Sequence, residues 1–452
     1  MRDEGRAGTA IDGGTELSRA SEERLNRNIG QLIPHHRDLL GDVASVYGVQ
    51  FANYLFPLIT VPYLSRVLGP SAWGLLAMAQ AFGTYGHLVV EYGFIYSATR
   101  DLAQASDEQQ VADVVARVSA ARLLLAVAVV GPAFIAWAYI PLFRSHSTLF
   151  WAAVVSEILK AALPNYYFYG IRRVAFASML DISARAFGVL GVFFLVRQPE
   201  DAWKFFGLQG IGAVSALIFA HWIIYSRYPA RTANLKDAIR MLRDGGAMFL
   251  FRGSHQLYSS GNAFILGLFA PAQAVGFYAG GEKINSAAIG LLSPLSTVIY
   301  PRTAGLAKKN LQQAARLTQL CVYAMLAVSI VLGVMMWFGA SPIVAIILGR
   351  SYLASASVLK ILSLRAPLAA WTYVLGFQWL LALGLERAFR KATFAAMAIN
   401  FLLATCLATR FTYMGMAWVV VTSQMILAAG IYLILRRSAL SPFSMDVTAE
   451  HA

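Results

Sequence analysis

Apolar stretches long enough to cross a bilayer recur along almost the whole chain, from Val43 to Leu435, and short polar hinges separate them. A membrane helix needs roughly 20 mostly apolar residues. On that measure the pattern predicts spans near 43–65, 71–97, 113–139, 147–170, 174–197, 203–227, 246–270, 273–300, 315–340, 355–384, 388–409 and 413–435. The polar residues inside these spans are not scattered. At about 100° per residue, positions i, i+3, i+7 and i+10 share one helix face. Span one puts Gln50, Asn53, Pro57 and Thr60 there; span seven puts Arg252, His255, Ser259 and Asn262 at the same offsets, each 202 positions later (Gln50 to Arg252). Span two carries Gln80, Thr84, His87 and Glu91, and span eight carries Glu282, Asn285, Ser286 and Ser293. Four matching polar faces predict a hydrated cavity between two halves. Interhelical hydrogen bonding is the competing reading for the neutral residues, since Ser, Thr, Asn and Gln serve that purpose routinely.

The same offset appears in the hairpin tips. LGPSAWGLLAMAQ, Leu68 to Gln80, matches FAPAQAVGFYAGGE, Phe269 to Glu282, in its Pro and Gly punctuation to within one residue. An even number of spans separates the copies, so the halves share one orientation and are related by an axis along the membrane normal. The fold class is therefore all-α and polytopic, with about twelve transmembrane helices in a parallel pseudo-repeat.

Composition agrees: 58% of the 452 residues are hydrophobic and 13% are charged, against about 25% charged in a soluble protein. The net charge of +14 does not indicate nucleic acid, because the basic residues sit in hinges rather than in a patch interleaved with aromatics. They sit unevenly. Arg172, Arg173, Arg231, Lys236, Lys308, Lys309, Arg390, Lys391 and the pair Arg436–Arg437 fall on one side, while the opposite hinges hold Arg66, Arg144, Arg197, Lys204, Arg350 and Arg410. Lys and Arg in short loops set orientation, which predicts both termini in the cytoplasm and an even span count. Residues 1–40 are polar and read as a disordered cytoplasmic tail; 41–228 form the first six-helix bundle, 229–245 an amphipathic cytoplasmic linker, 246–437 the second bundle and 438–452 a second tail.

Charges inside the spans are the candidate chemistry, since a charge at the bilayer centre costs roughly 2.5–3.5 kcal/mol even on the mild insertion scale. Arg365 lies about ten residues into span ten beside Pro367 and is expected to line the cavity, whereas Lys360, nearer the outer end, either lines it or snorkels to the interface. Asp181 and Arg185 (i, i+4) and Glu157 and Lys160 (i, i+3) are spaced to neutralise one another. The two cysteines, Cys321 and Cys406, lie in apolar segments as ordinary small hydrophobes. No metal site follows, and there is no HExxH, GxSxG, P-loop or CxxC, so no catalytic residue is assigned.

The stretch from Pro57 to Ala103 resembles the opening of the polysaccharide transporter family, the Wzx-type lipid-linked oligosaccharide or O-antigen flippases of the multidrug/oligosaccharidyl-lipid/polysaccharide exporter superfamily. Its matching residues include Pro57, Pro62, Arg66, Gly69, Gly74, Gln80, Tyr92, Gly93, Phe94, Thr99 and Arg100. The entry to the second half, with Tyr258, Asn262 and Gly267, is similar as well, as are Tyr300-Pro301-Arg302 and the segment LGRSYLASASVLKILSL. Glu91 departs from the family's more usual Asp but keeps the charge.

The resemblance implies two six-helix bundles arranged as a V around a central cavity. It also implies a substrate, an undecaprenyl-diphosphate-linked glycan moved across the bacterial inner membrane, with a polysaccharide polymerase and chain-length machinery as further partners. Such an anion would meet Arg252, Lys283, Lys360 and Arg365, which supply charge-assisted hydrogen bonds, alongside His255, Asn53 and Asn262. No cofactor is expected; Glu91, Glu282, His87 and His255 are the candidates for coupling a proton or a sodium ion. The rival readings are a cation or multidrug exporter of the same fold, which would want an acid-dominated cavity, and a membrane glycan polymerase, which the short outer hinges disfavour.

Overall fold

The computed structural model describes residues 36–438 and 440–443, with side chains from residue 55 onward outside 247–248, 250–260, 293–295 and 297–298. Among the described residues all regular structure is helical. Seven helices there are long and apolar enough to cross a membrane by length and composition alone.

Breaks between spans follow the backbone chemistry. Helix α1, His36–Glu91, holds spans one and two on either side of Gly69, whose φ of 68° and ψ of 172° interrupt the helix. Glycine adopts a positive φ without steric cost, and Pro70 then starts the next helical stretch, where its missing N–H costs nothing. A short α2, Phe94–Gln104, precedes α3, Glu108–Tyr139. Asp107 caps α3 by accepting from the Gln110 amide at 2.7 Å. After α4, Pro141–Ser145, span four comes in two pieces, α5, Ser147–Ala162, and α6, Asn165–Gly170, because Pro164 cannot continue a helix. The bundle closes with α7, Val174–Leu195, and α8, Ala202–Tyr225.

The second half repeats this plan with its own interruptions. Helix α9, Leu235–Ser260, joins the predicted linker to span seven without a break. The Gly245–Gly246 pair stays helical there, and Gly245 lies against the ring of Tyr92, 3.4 Å from where a Cβ would sit. Arg231, just ahead of the helix, pairs with Asp113 of α3 at 2.7 Å, while Leu235 and Ile239 stay exposed, as an interfacial helix requires. Then come α10, Asn262–Phe269; α11, Ala272–Gly290; α12, Ser293–Lys309; α13, Leu311–Phe338; and α14, Ala340–Ile347. Span ten consists of α15, Ser355–Ser363, and α16, Arg365–Trp371, followed by a π-helical turn, Thr372–Leu380. Pro367 thus falls in the first turn of α16, where a missing N–H is harmless. Helix α17, Glu386–Ser438, holds spans eleven and twelve across Thr412.

The two hairpins meet reciprocally. A Cβ on Gly74 would lie 1.8 Å from the Ala272 carbonyl oxygen, and a Cβ on Gly276 would lie 1.9 Å from the Pro70 carbonyl oxygen. Under the 202-residue offset (Gly74 to Gly276) residue 70 corresponds to 272, so each contact is the image of the other, as a two-fold axis requires. One core cluster spans both halves at this end, joining Leu64, Leu68 and Trp73 to Val344, Leu348 and Tyr352. At the far ends the cores are separate: Phe94, Val118 and Tyr166 belong to one, and Val322, Trp379 and Phe389 to another. The two bundles thus share a core at the hairpin end and have separate cores at the other, where Tyr92 stacks on Phe249 of α9 with ring centroids 4.5 Å apart.

Candidate functional site

A chamber of about 520 Å³ lies among the first six spans. The predicted face of span two lines it in full, since Gln80, Thr84, His87 and Glu91 are all on its wall, with Pro57 and Thr60 from span one. Among the described residues of the second half, Lys283 of α11 is on the wall. The sequence predicts a space shared with span seven, whose Arg252, His255 and Ser259 side chains lie outside the described residues.

Its polar wall is built from three helices. Gly83 of α1 lets α5 approach, since a Cβ there would sit 2.9 Å from Cγ of Glu157 and 3.1 Å from the Ala153 carbonyl. One turn on, His87 Nδ1 lies 3.4 Å from Glu157 Oε2 and 3.2 Å from the Glu157 backbone oxygen, so a proton on Nδ1 has two acceptors. The other carboxylate oxygen accepts from Lys160, and Lys160 also donates to Oε1 of Gln209 on α8 at 3.0 Å. Asp181 and Arg185 of α7 pair at 2.9 Å. Both charged pairs form along their own helices as their spacing predicts, and both line the chamber as well. Lys283 makes no ion pair among the described residues.

Arg122 of α3 holds the floor. It donates to the carbonyls of Ala162 and Leu163 at 2.8 and 3.0 Å, the acceptors that Pro164 leaves without helical partners. Its guanidinium also stands 4.9 Å from the Tyr166 ring centroid and 5.7 Å from that of Phe94, within cation–π range. The side chain is buried and on the chamber wall.

Of the candidate binding and coupling residues, Lys283, His87 and Glu91 are on this wall, whereas Glu282, Asn262, Lys360 and Arg365 are not among its lining residues. Glu282 accepts from its own helix, from Ser286 at 2.6 Å, and Asn285 turns into the second bundle, donating to the Leu362 carbonyl at 2.9 Å. A buried amide seeks a carbonyl before it faces a cavity. Asn262 is buried at the start of α10. Arg365 is half-buried at the first position of α16, its Nε without a partner among the described residues, and Lys360 is exposed. The side chains of Asn53, Arg252 and His255 lie outside the described residues. Sequence reasoning passed over Arg122 and Gln209. The depth criterion applied to Arg365 would have found Arg122, which lies equally far into span three.

Residues 39–307 match the family described as polysaccharide biosynthesis protein. The chain belongs to that family. A relative from Escherichia coli (strain K12) named "Putative O-antigen transporter" is 27% identical over 395 residues, covering 87% of this chain and 95% of the relative. One of the same name from Shigella dysenteriae is 25% identical, covering 75% and 85%. Among solved structures, the lipid II flippase MurJ in an inward closed conformation superimposes with a TM-score of 0.67 at 12% identity, covering 87% of each chain. An inward-facing multidrug resistance MATE transporter does so with 0.67 at 13%, covering 87% of this chain and 96% of its own. This member of the polysaccharide biosynthesis family thus shares the two-bundle exporter fold.

Proposed function

We propose that the chain is a flippase that carries an undecaprenyl-diphosphate-linked oligosaccharide from the cytoplasmic to the outer leaflet of the bacterial inner membrane by alternating access. The observation that carries this reading is a chamber rich in hydrogen-bonding groups inside apolar bundles, in a relative of proteins named for O-antigen transport. A lipid-linked glycan needs such a compartment, because its headgroup must leave water while its polyprenyl tail stays in lipid. Lys283, a chamber cation without an ion pair among the described residues, supplies a point charge for the diphosphate. His87 and Glu91 are the groups through which a proton or sodium ion would couple to the motion. A cation exporter would need its acids free to attract substrate, yet Glu157 and Asp181 are each engaged by a base.

Both termini are taken to be cytoplasmic, so the joined hairpins face outward. Periplasmic-reporter fusions at Pro70, Arg144, Pro199 and Pro271 are expected to be active and those at Arg173, Lys236, Lys309 and Arg390 inactive; activity at Lys236 would overturn this orientation. Loss of the protein is expected to leave repeat units assembled but trapped on the cytoplasmic leaflet, with surface polymer depleted and nothing delivered to the polymerase and chain-length machinery. Repeat units accumulating unpolymerised in the outer leaflet would instead make it a polymerase.

A further inference from the structure

The charged wall of the chamber has a composition that a diphosphate site would not require. Glu157 is held between Lys160 and His87, and Asp181 is held by Arg185. Paired charges largely cancel at a distance, and their carboxylates repel an incoming polyanion, so the network does little to draw a diphosphate. What it keeps is a dense array of fixed donors and acceptors. A carboxylate offers about four lone-pair sites and an ammonium three protons. Lys160 gives protons to Glu157 and Gln209, which leaves a third for a ligand.

Gln80 and Thr84 face the same space, as do the rings of Phe56, Trp73, Tyr166 and Phe205. A sugar ring fits such a wall. Each hydroxyl both donates and accepts, hydroxyls on adjacent carbons present donor and acceptor side by side, and the C–H face of the ring packs on an aromatic plane. The volume of about 520 Å³ falls within the roughly 300–1,000 Å³ of sites that enclose a small organic ligand.

We propose that the His87–Glu157–Lys160–Gln209 network and the Asp181–Arg185 pair form a saccharide subsite that reads the hydroxyl groups of the glycan rather than its charge. The assignment rests on the reading that the protein moves a lipid-linked glycan. The diphosphate then lies outside this network, toward Lys283.

The test uses the purified full-length protein and two probes: the oligosaccharide released by mild acid from the cell's own lipid-linked repeat units, and geranyl diphosphate. The released oligosaccharide is expected to bind without its lipid diphosphate. The pair Glu157→Gln and Lys160→Gln, which keeps hydrogen bonding and removes charge, should weaken that binding by at most about tenfold, while Glu157→Leu with Lys160→Met should weaken it about a hundredfold, as befits two lost charge-assisted hydrogen bonds. Geranyl diphosphate should bind these variants as it binds the native protein. Should the Leu/Met variant fail to fold, Gln209→Leu is the substitute, expected to weaken saccharide binding about tenfold, the cost of one such bond. The proposal is overturned if the Gln/Gln variant loses saccharide binding altogether. It is equally overturned if the native protein binds geranyl diphosphate but not the oligosaccharide, or if the substitutions lower thermal stability with saccharide affinity unchanged. In each of those cases the flippase reading stands; it fails separately if intact repeat units reach the outer leaflet in cells lacking the protein.

Discussion

A single methyl group at Gly74 or Gly276 is expected to abolish transport while leaving the chain inserted in the membrane. The reason is that the colliding atom in each case belongs to the main chain. A Cβ would lie 1.8 Å from the Ala272 oxygen or 1.9 Å from the Pro70 oxygen, and neither can swing aside as a flexible side chain would. An added methylene in a packed core costs about 1–3 kcal/mol when neighbours can yield; here the two hairpins have to separate. Separation would also part Leu68 and Trp73 from Leu348 and Tyr352 in their shared core. Gly131→Ala is the control, since a Cβ there meets nothing within 4 Å. With Cys406 replaced, Leu68→Cys should be shielded from a water-soluble maleimide in the native background and labelled in the Gly276→Ala background. Normal repeat-unit translocation in Gly74→Ala and Gly276→Ala, with Leu68→Cys still shielded, would mean that the hairpins need not fit this closely.

Arg122→Met is expected to destabilise the first bundle by about 2–4 kcal/mol, in line with the loss of two hydrogen bonds from a charged donor at roughly 1.5–3 kcal/mol each, one of whose acceptors keeps a second donor. Methionine keeps the bulk and removes both bonds to Ala162 and Leu163, stranding the Ala162 carbonyl while Leu163 keeps the Asn165 amide at 2.9 Å. Lysine in its place should recover part of the loss, as it keeps charge but not the planar fork. The role can be separated from general damage by a second substitution. Pro164→Ala lets α5 continue and satisfy its own carbonyls, so it should restore thermal stability to Arg122→Met without restoring transport, because the chamber floor moves. Thermal unfolding of the detergent-purified variants measures this, and an Arg122→Met protein as stable as the native one would remove the clamp from the account.

Much of the architecture was legible because it is written in local periodicity. The 3.6-residue spacing of Gln80, Thr84, His87 and Glu91 located one chamber wall, and the punctuation shared by the two hairpin tips gave the repeat axis, though not the contact of Gly74 and Gly276 across it. The i, i+3 and i, i+4 spacings also gave the pairs Glu157–Lys160 and Asp181–Arg185. What periodicity does not carry is which helices become neighbours. His87 and Gln209 reach the Glu157–Lys160 pair from spans two and six, and nothing in the spacing of span four announces either. Arg365 and Arg122 looked alike by depth in an apolar run, yet Arg122 meets the carbonyls freed at Pro164 and Arg365 stands off the chamber wall. A proline in another span decided that difference.

Where the two hairpins meet, the first half also supplies Ser65 and Arg66, which donate to the carbonyls of Leu348, at 3.2 Å, and Ile346. These two bonds meet the second half through its main chain, whereas the Gly74–Ala272 and Gly276–Pro70 contacts are reciprocal. Peptide carbonyls are the same whatever residue carries them. Side chains at 346 and 348 can therefore drift, within the limits of packing, without altering these bonds, whereas Ser65 and Arg66 cannot. The bonds constrain the two copies of the repeat unequally, leaving the second freer to diverge at the very surface where they meet.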